Sequence, residues 1–113
     1  MNIADAIEVL ERSVPNTSSG LPEDLFYYIS SVTPLVNVDL LIKDENGRIL
    51  LSWRDDKYAG RGWHLPGGII RFKETLETRL RKVAETEVGS AVDYDPNPIA
   101  INEIFNNDSN IRG

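Results

Sequence analysis

An α/β domain is the fold this chain predicts, on three observations. Short apolar runs alternate with segments of helical period. An Asn-Gly pair stands between two of those runs. A Pro-Gly-Gly loop leads into an amphipathic helix. At 113 residues and 12.7 kDa the chain has room for one core and not for two.

The elements follow in order. Asn2 is an N-cap, and Ile3, Ala6, Ile7 and Leu10 recur at helical spacing after it. Ser13 to Gly20 is a loop by composition. Pro22 suits the first turn of a second helix, with Glu23 and Asp24 near its positive end. That helix carries Leu25, Phe26, Ile29 and Val32 and stops before Pro34. Leu35 to Ile42 reads as a strand, Asn46-Gly47 as a hairpin turn, and Ile49 to Trp53 as the partner strand. Asp55 to Gly62 reads as a polar loop, and Trp63 to Pro66 as a short apolar stretch before Gly67 and Gly68. Leu76, Leu80, Val83, Ala84 and Val88 form one stripe of a helix over Thr75–Val88, with Gly89 placed to stop it. Ile99, Ile101, Ile104 and Phe105 suggest a later strand. Asn106 to Gly113 is polar and turn-like, which leads us to expect that the sheet lacks a strand or borrows one from a partner.

Composition excludes several classes of function. Eighteen acidic residues against 12 basic give a net charge of −6, a poor match to a nucleic acid polymer or an anionic membrane. A phosphorylated small molecule remains compatible if a divalent metal bridges the like charges. Cysteine is absent and His64 is the single histidine, so thiolate chemistry and histidine-rich metal sites are out. No apolar run approaches a membrane span, and no signal peptide is visible, so a cytoplasmic location is expected.

Chemistry concentrates in Gly68 to Gly89, GIIRFKETLETRLRKVAETEVG. Glu87 borders the apolar stripe of the helix and can point under the glycine loop. A carboxylate there, with a glycine carbonyl, makes an oxygen site suited to magnesium or manganese. The alternative reading of such a glutamate is a solvated helix face. Asp39, in an otherwise apolar strand, is either a pocket residue or paired internally. Arg54, at a strand end, is either a ligand contact or a solvated charge. His64 reads as a packing or surface residue.

This stretch resembles the Nudix box. Gly68, Glu74, Glu87 and Gly89 stand at matching positions, and Lys82 replaces the box arginine. Val83 and Thr86 occupy two positions where typical members carry glutamate, so one of three usual carboxylates remains. That depletion resembles the GDP-mannose mannosyl hydrolase branch. The likeness extends upstream through Pro34 to Asp39, Gly47, Leu50-Leu51, Arg54, Trp63 and Pro66-Gly67-Gly68.

The resemblance implies a Nudix α/β/α sandwich with a mixed sheet over residues 33–113, lacking C-terminal strands, with residues 1–32 as a helical extension. It implies a hydrolase of a nucleoside diphosphate linked to another moiety, of nucleotide-sugar type, that uses Mg2+ or Mn2+. Gly67 would supply a carbonyl ligand and Glu87 a carboxylate ligand. Arg54 would face the diphosphate and Asp39 the sugar-side pocket. Gly68, Glu74, Lys82 and Gly89 would be structural, with Glu74 and Lys82 bracing loop against helix. The general base is unassigned, and Ile69 stands where that branch has an arginine. A homodimer is expected. The rival reading is a weak or inactive Nudix-fold binding module, or a truncated gene product.

Overall fold

The computed structural model describes residues 1–56 and 60–105. Helix α1 spans Ile3–Ser13 and starts as expected: the Asn2 side chain accepts from the Asp5 N–H at 2.8 Å, and Asp5 accepts from the Asn2 N–H at 3.3 Å. Its apolar stripe is unused, since α1 buries no residue. A 3₁₀ turn at Thr17–Ser19 leads to α2, Glu23–Val32, which Thr33 ends one residue before Pro34.

The expected strand over Leu35–Ile42 is regular only as β1, Asn37–Asp39. It pairs antiparallel with β4, Gly67–Ile69, with Val38 opposite Gly68 and Asp39 opposite Gly67. The Leu40 N–H donates to the Pro66 carbonyl at 2.8 Å and the Ile70 N–H to the Val36 carbonyl at 2.9 Å, which extends the ladder one residue each way. The turn after Ile42 forms where the Asn-Gly pair predicts it. Lys43 bridges Ile49, and the Asp44 carboxylate closes the turn by accepting from the N–H groups of Asn46 and Arg48, each at 2.9 Å. The Arg48 backbone bond is the leading cause of a lowered Asp44 pKa.

Two sequence expectations fail here. Both ends of the expected Asp55–Gly62 loop are strand: β2, Ser52–Asp56, pairs antiparallel with β3, Gly60–His64, to make a second two-stranded sheet, and the middle of that loop lies outside the described residues. Trp53 lies directly opposite Trp63, edge to face with ring centroids 5.4 Å apart, and Arg61 stands 3.7 Å from Asp55 across the same face. These cross-strand pairs favour a ladder that polar composition alone does not show. Ile99 to Phe105 forms no strand and is exposed. Pro96 and Pro98 precede it, and among the described residues it has no ladder partner to satisfy its backbone. The turn expected over Asn106–Gly113 lies outside the described residues.

Helix α3, Leu76–Val83, is capped by Thr75, whose side chain accepts from the Thr78 N–H at 3.1 Å. A wider π turn, Ala84–Val88, extends it, and Gly89 stops it in the left-handed conformation at φ 86°. The core lies where α3 crosses the first sheet. Leu40, Val83 and Ala84 are buried, with Val38, Ile42, Leu80 and Val92 packed against them. Gly68 permits that crossing, because a Cβ there would stand 3.1 Å from Val83 Cγ2. All ladders among the described residues are antiparallel.

Candidate functional site

Gly67 is the centre of the site. Two features of the β1–β4 ladder decide its surroundings. The flanking bonds of Leu40 and Ile70 make Val38 and Gly68 the hydrogen-bonded pair, so the amide and carbonyl of Gly67 point away from β1. There the Gly67 N–H donates to Glu87 Oε2 at 2.8 Å. On the face of the sheet, the Asp39 carboxylate fills the space a Cβ on Gly67 would need, and the Val38 carbonyl oxygen lies 2.8 Å from that point. Asp39 Oδ1 also accepts from Asn37 Nδ2 at 2.8 Å. Only glycine fits beneath this carboxylate.

The π turn carries Glu87 toward the strand. The Gly89 N–H donates to the Ala84 carbonyl at 2.8 Å, five residues back. Thr86 Oγ1 donates to the Lys82 carbonyl at 2.9 Å, a back-bond of the kind that bends helix ends. Neither feature is visible in the sequence, whose apolar period predicts a regular helix up to Gly89. Wide turns of this kind recur at functional positions.

The loop before α3 is held by Glu74. Its side chain is 5 % exposed and accepts from Arg79 Nε at 2.6 Å, Arg79 Nη2 at 2.8 Å, Lys82 Nζ at 3.3 Å and the Arg71 N–H at 3.2 Å. The Arg79 fork is the main cause of a Glu74 pKa lowered to about 2. The structure thus brings Glu74 and Lys82 together, but Arg79 makes the shorter, bidentate contact. Sequence reasoning missed Arg79. The signal was its place one turn before Lys82, on the same helix face.

The hairpin of β2 and β3 holds the other candidates. Ser52, Arg54, Gly62 and His64 form its half-buried face, whereas Trp53 and Trp63 are 53 % and 64 % exposed on the other. Arg54 therefore stands on a different sheet from Gly67 and Asp39, and apart from the π turn that carries Glu87. His64 lies on the same face as Arg54, with its Nε2 buried and without a hydrogen-bond partner among the described residues. A recess of about 410 Å3 lined by residues from Ser13 to Pro22 contains none of these groups, and the chemistry of the donors outweighs its size.

The donors present suit a hard divalent cation. The Gly67 carbonyl points to the same side of β4 as its N–H, the side on which the exposed Glu87 carboxylate lies. Among the described residues no group of three or more His, Cys, Asp or Glu side chains is placed to hold a metal, so substrate oxygens and water would complete any coordination. Val83 and Thr86 contribute nothing to it: one is buried in the core and the other bonds the helix backbone. No helix among the described residues is long and apolar enough to cross a membrane.

Comparison with known proteins adds three findings. A family model described as NUDIX domain matches residues 33–107. The chain is 36 % identical over 96 residues to the low-salt glycan biosynthesis protein Agl8 of Haloferax volcanii, an alignment covering 85 % of this chain and 60 % of that protein. The chain thus spans 60 % of the length of that curated relative. No solved structure matches.

Proposed function

The chain belongs to the NUDIX domain family, and from that premise we propose that it hydrolyses a nucleoside diphosphate linked to a second moiety, of nucleotide-sugar type. The observation that carries this reading is the 2.8 Å bond that draws Glu87 to the Gly67 backbone. The name of Agl8 refers to glycan biosynthesis, which supports a sugar-bearing substrate.

In this reading the Gly67 carbonyl and Glu87 Oε1 would hold Mg2+ or Mn2+. When bound, the ion neutralises the diphosphate and makes it a better leaving group. The chain's own residues do the rest. The Gly67 N–H fixes one Glu87 oxygen and leaves the other free. Arg54 offers a planar fork to paired phosphate oxygens. Asp39, seated over Gly67, accepts from substrate hydroxyls on the sugar side. The Glu74–Arg79–Lys82 cluster keeps the loop in register with α3. The proposal extends to a cytoplasmic homodimer. In it residues 33–113 form the Nudix part of an α/β/α sandwich about a mixed sheet, and residues 1–32 a helical extension.

The test is turnover of nucleotide sugars and dinucleotides with Mg2+, comparing the wild-type chain with Glu87→Gln. We expect activity in the first and a loss on the order of 100-fold or more in the second, since even an indirect partner of a ligand is worth about 10–100-fold. Reaction in 18O-labelled water then separates attack at carbon from attack at phosphorus. The replacement of two box carboxylates by Val83 and Thr86 favours a second reading, a binding module without turnover. That reading holds if both proteins are silent while a nucleotide sugar still raises the melting temperature.

A further inference from the structure

The face of the first sheet turned away from α3 carries a pair of joined polar side chains. Gly68 faces α3, because a Cβ there would meet Val83 and Arg79. Val38 stands opposite Gly68 and packs on the core. The period of 2 therefore turns Asn37, Asp39 and Ile69 to the other face, with Asn37 opposite Ile69 and Asp39 opposite Gly67. Asn37 and Asp39 are both exposed there.

Exposed side chains two residues apart on one strand gain little by bonding each other, since each gives up rotamer freedom to do so. These two are bonded all the same: Asn37 Nδ2 donates to Asp39 Oδ1 at 2.8 Å. The tethered carboxylate leans across the ladder onto β4, where its Cγ lies 3.3 Å from the point that a Cβ on Gly67 would occupy. The Asn37 amide takes one oxygen and leaves Oδ2 as the open acceptor. Gly67 in turn donates its N–H to Glu87 Oε2 at 2.8 Å. One line of contacts thus runs from Asn37 through Asp39 and Gly67 to Glu87.

We infer that Asn37 is a positioning residue, which tethers Asp39 over Gly67 so that the free carboxylate oxygen meets a hydroxyl of the moiety beyond the diphosphate. This rests on the proposed function, which supplies the ligand class and sets Asp39 on the sugar side. An amide suits the task because it donates without carrying charge. A lysine or arginine in its place would neutralise the carboxylate and draw phosphate to the sugar side. The tether therefore bears on recognition of the sugar and leaves the bare nucleoside diphosphate untouched.

The test is a double-mutant cycle on the full chain. The probes are GDP-mannose and UDP-glucose, with GDP and UDP as their sugar-free counterparts, each with Mg2+. Calorimetry gives the affinities of wild type, Asn37→Ala, Asp39→Ala and the double variant, and KM replaces it where a sugar is turned over. We expect Asn37→Ala to bind the preferred nucleotide sugar on the order of fivefold more weakly, the cost of ordering one freed side chain. Asp39→Ala should bind it on the order of tenfold more weakly, as for a lost hydrogen bond to a charged group. Both should bind the sugar-free nucleotide as wild type does. The double variant should match Asp39→Ala, because a tether does nothing once its carboxylate is gone. If circular dichroism shows that an alanine variant does not fold, Asn37→Leu and Asp39→Asn complete the same cycle. The inference falls, and the proposed function survives, on any of three results: Asn37→Ala weakens the sugar-free nucleotide as much as the sugar, its effect adds in full to that of Asp39→Ala, or either single variant binds the sugar as well as wild type. If the wild-type chain binds none of the four probes, both fall.

Discussion

A Cβ on Gly67 would enter the space held by the Asp39 carboxylate and stand 2.8 Å from the Val38 carbonyl oxygen. The carboxylate can swing aside, but the carbonyl belongs to the β1 backbone. Gly67→Ala should therefore destabilise the protein by about 1–3 kcal/mol, the usual range for forced overpacking, read as a lower urea midpoint. Adding Asp39→Ala should recover only part of that loss; full recovery would mean that the Val38 carbonyl is not a barrier. At this scale the sequence was partly legible. Asp39 was open between a pocket and an internal pairing, and its Asn37 bond and its seat over Gly67 show the surroundings it has. Its nearness to Gly67 depends on strand register, which residue types alone do not encode.

The brace between loop and α3 is an element-scale device. Glu74 binds four donors from Arg71, Arg79 and Lys82, and its pKa falls from an ordinary 4.5 to about 2, chiefly through Arg79. A carboxyl with a depressed folded pKa stabilises the fold fully above its unfolded value and loses that contribution as pH drops through the folded value. The melting temperature should thus fall between about pH 4.5 and 2, and Glu74→Gln should flatten the slope there. An unchanged slope in the variant would show that Glu74 is not its source. Arg79→Ala should cost more stability than Lys82→Ala in thermal melts, because the Arg79 side chain is 10 % exposed and that of Lys82 44 %. Helices and caps were readable here because each depends on a few neighbouring residues. The π turn was not, since its Gly89 to Ala84 bond departs from the 3.6 period that the apolar stripe carries.

At the scale of the molecule, few apolar residues find cover. Among the described residues Leu40, Val83 and Ala84 are the buried apolar core, whereas Ile3, Ile7, Leu10, Trp53 and Trp63 are exposed. The radius of gyration is 16.4 Å, against about 13 Å for a compact chain of this length. So much uncovered apolar surface fits the proposed homodimer. Sedimentation at micromolar concentration should give a mass of about twice 12.7 kDa, and Trp53→Ser with Trp63→Ser should weaken that association if the outer hairpin face takes part. A particle of one chain's mass at every concentration would remove the dimer from the proposal.

Local chemistry alone determined the N-cap at Asn2, the turn at Asp44–Arg48, the helix from Thr75 and its stop at Gly89, and the position of the glycine loop before that helix. Each is settled by the side chains and backbone freedom of a few adjacent residues. Only the tertiary structure decided that Asp55 and Asp56 pair with Arg61 and Gly60 in a ladder and that Ile99–Phe105 forms none. It also decided that Arg79 takes Glu74, and that Asp39 and Glu87 meet at Gly67 from opposite directions. These outcomes depend on which backbone edge finds a partner, and distant segments settle that competition together.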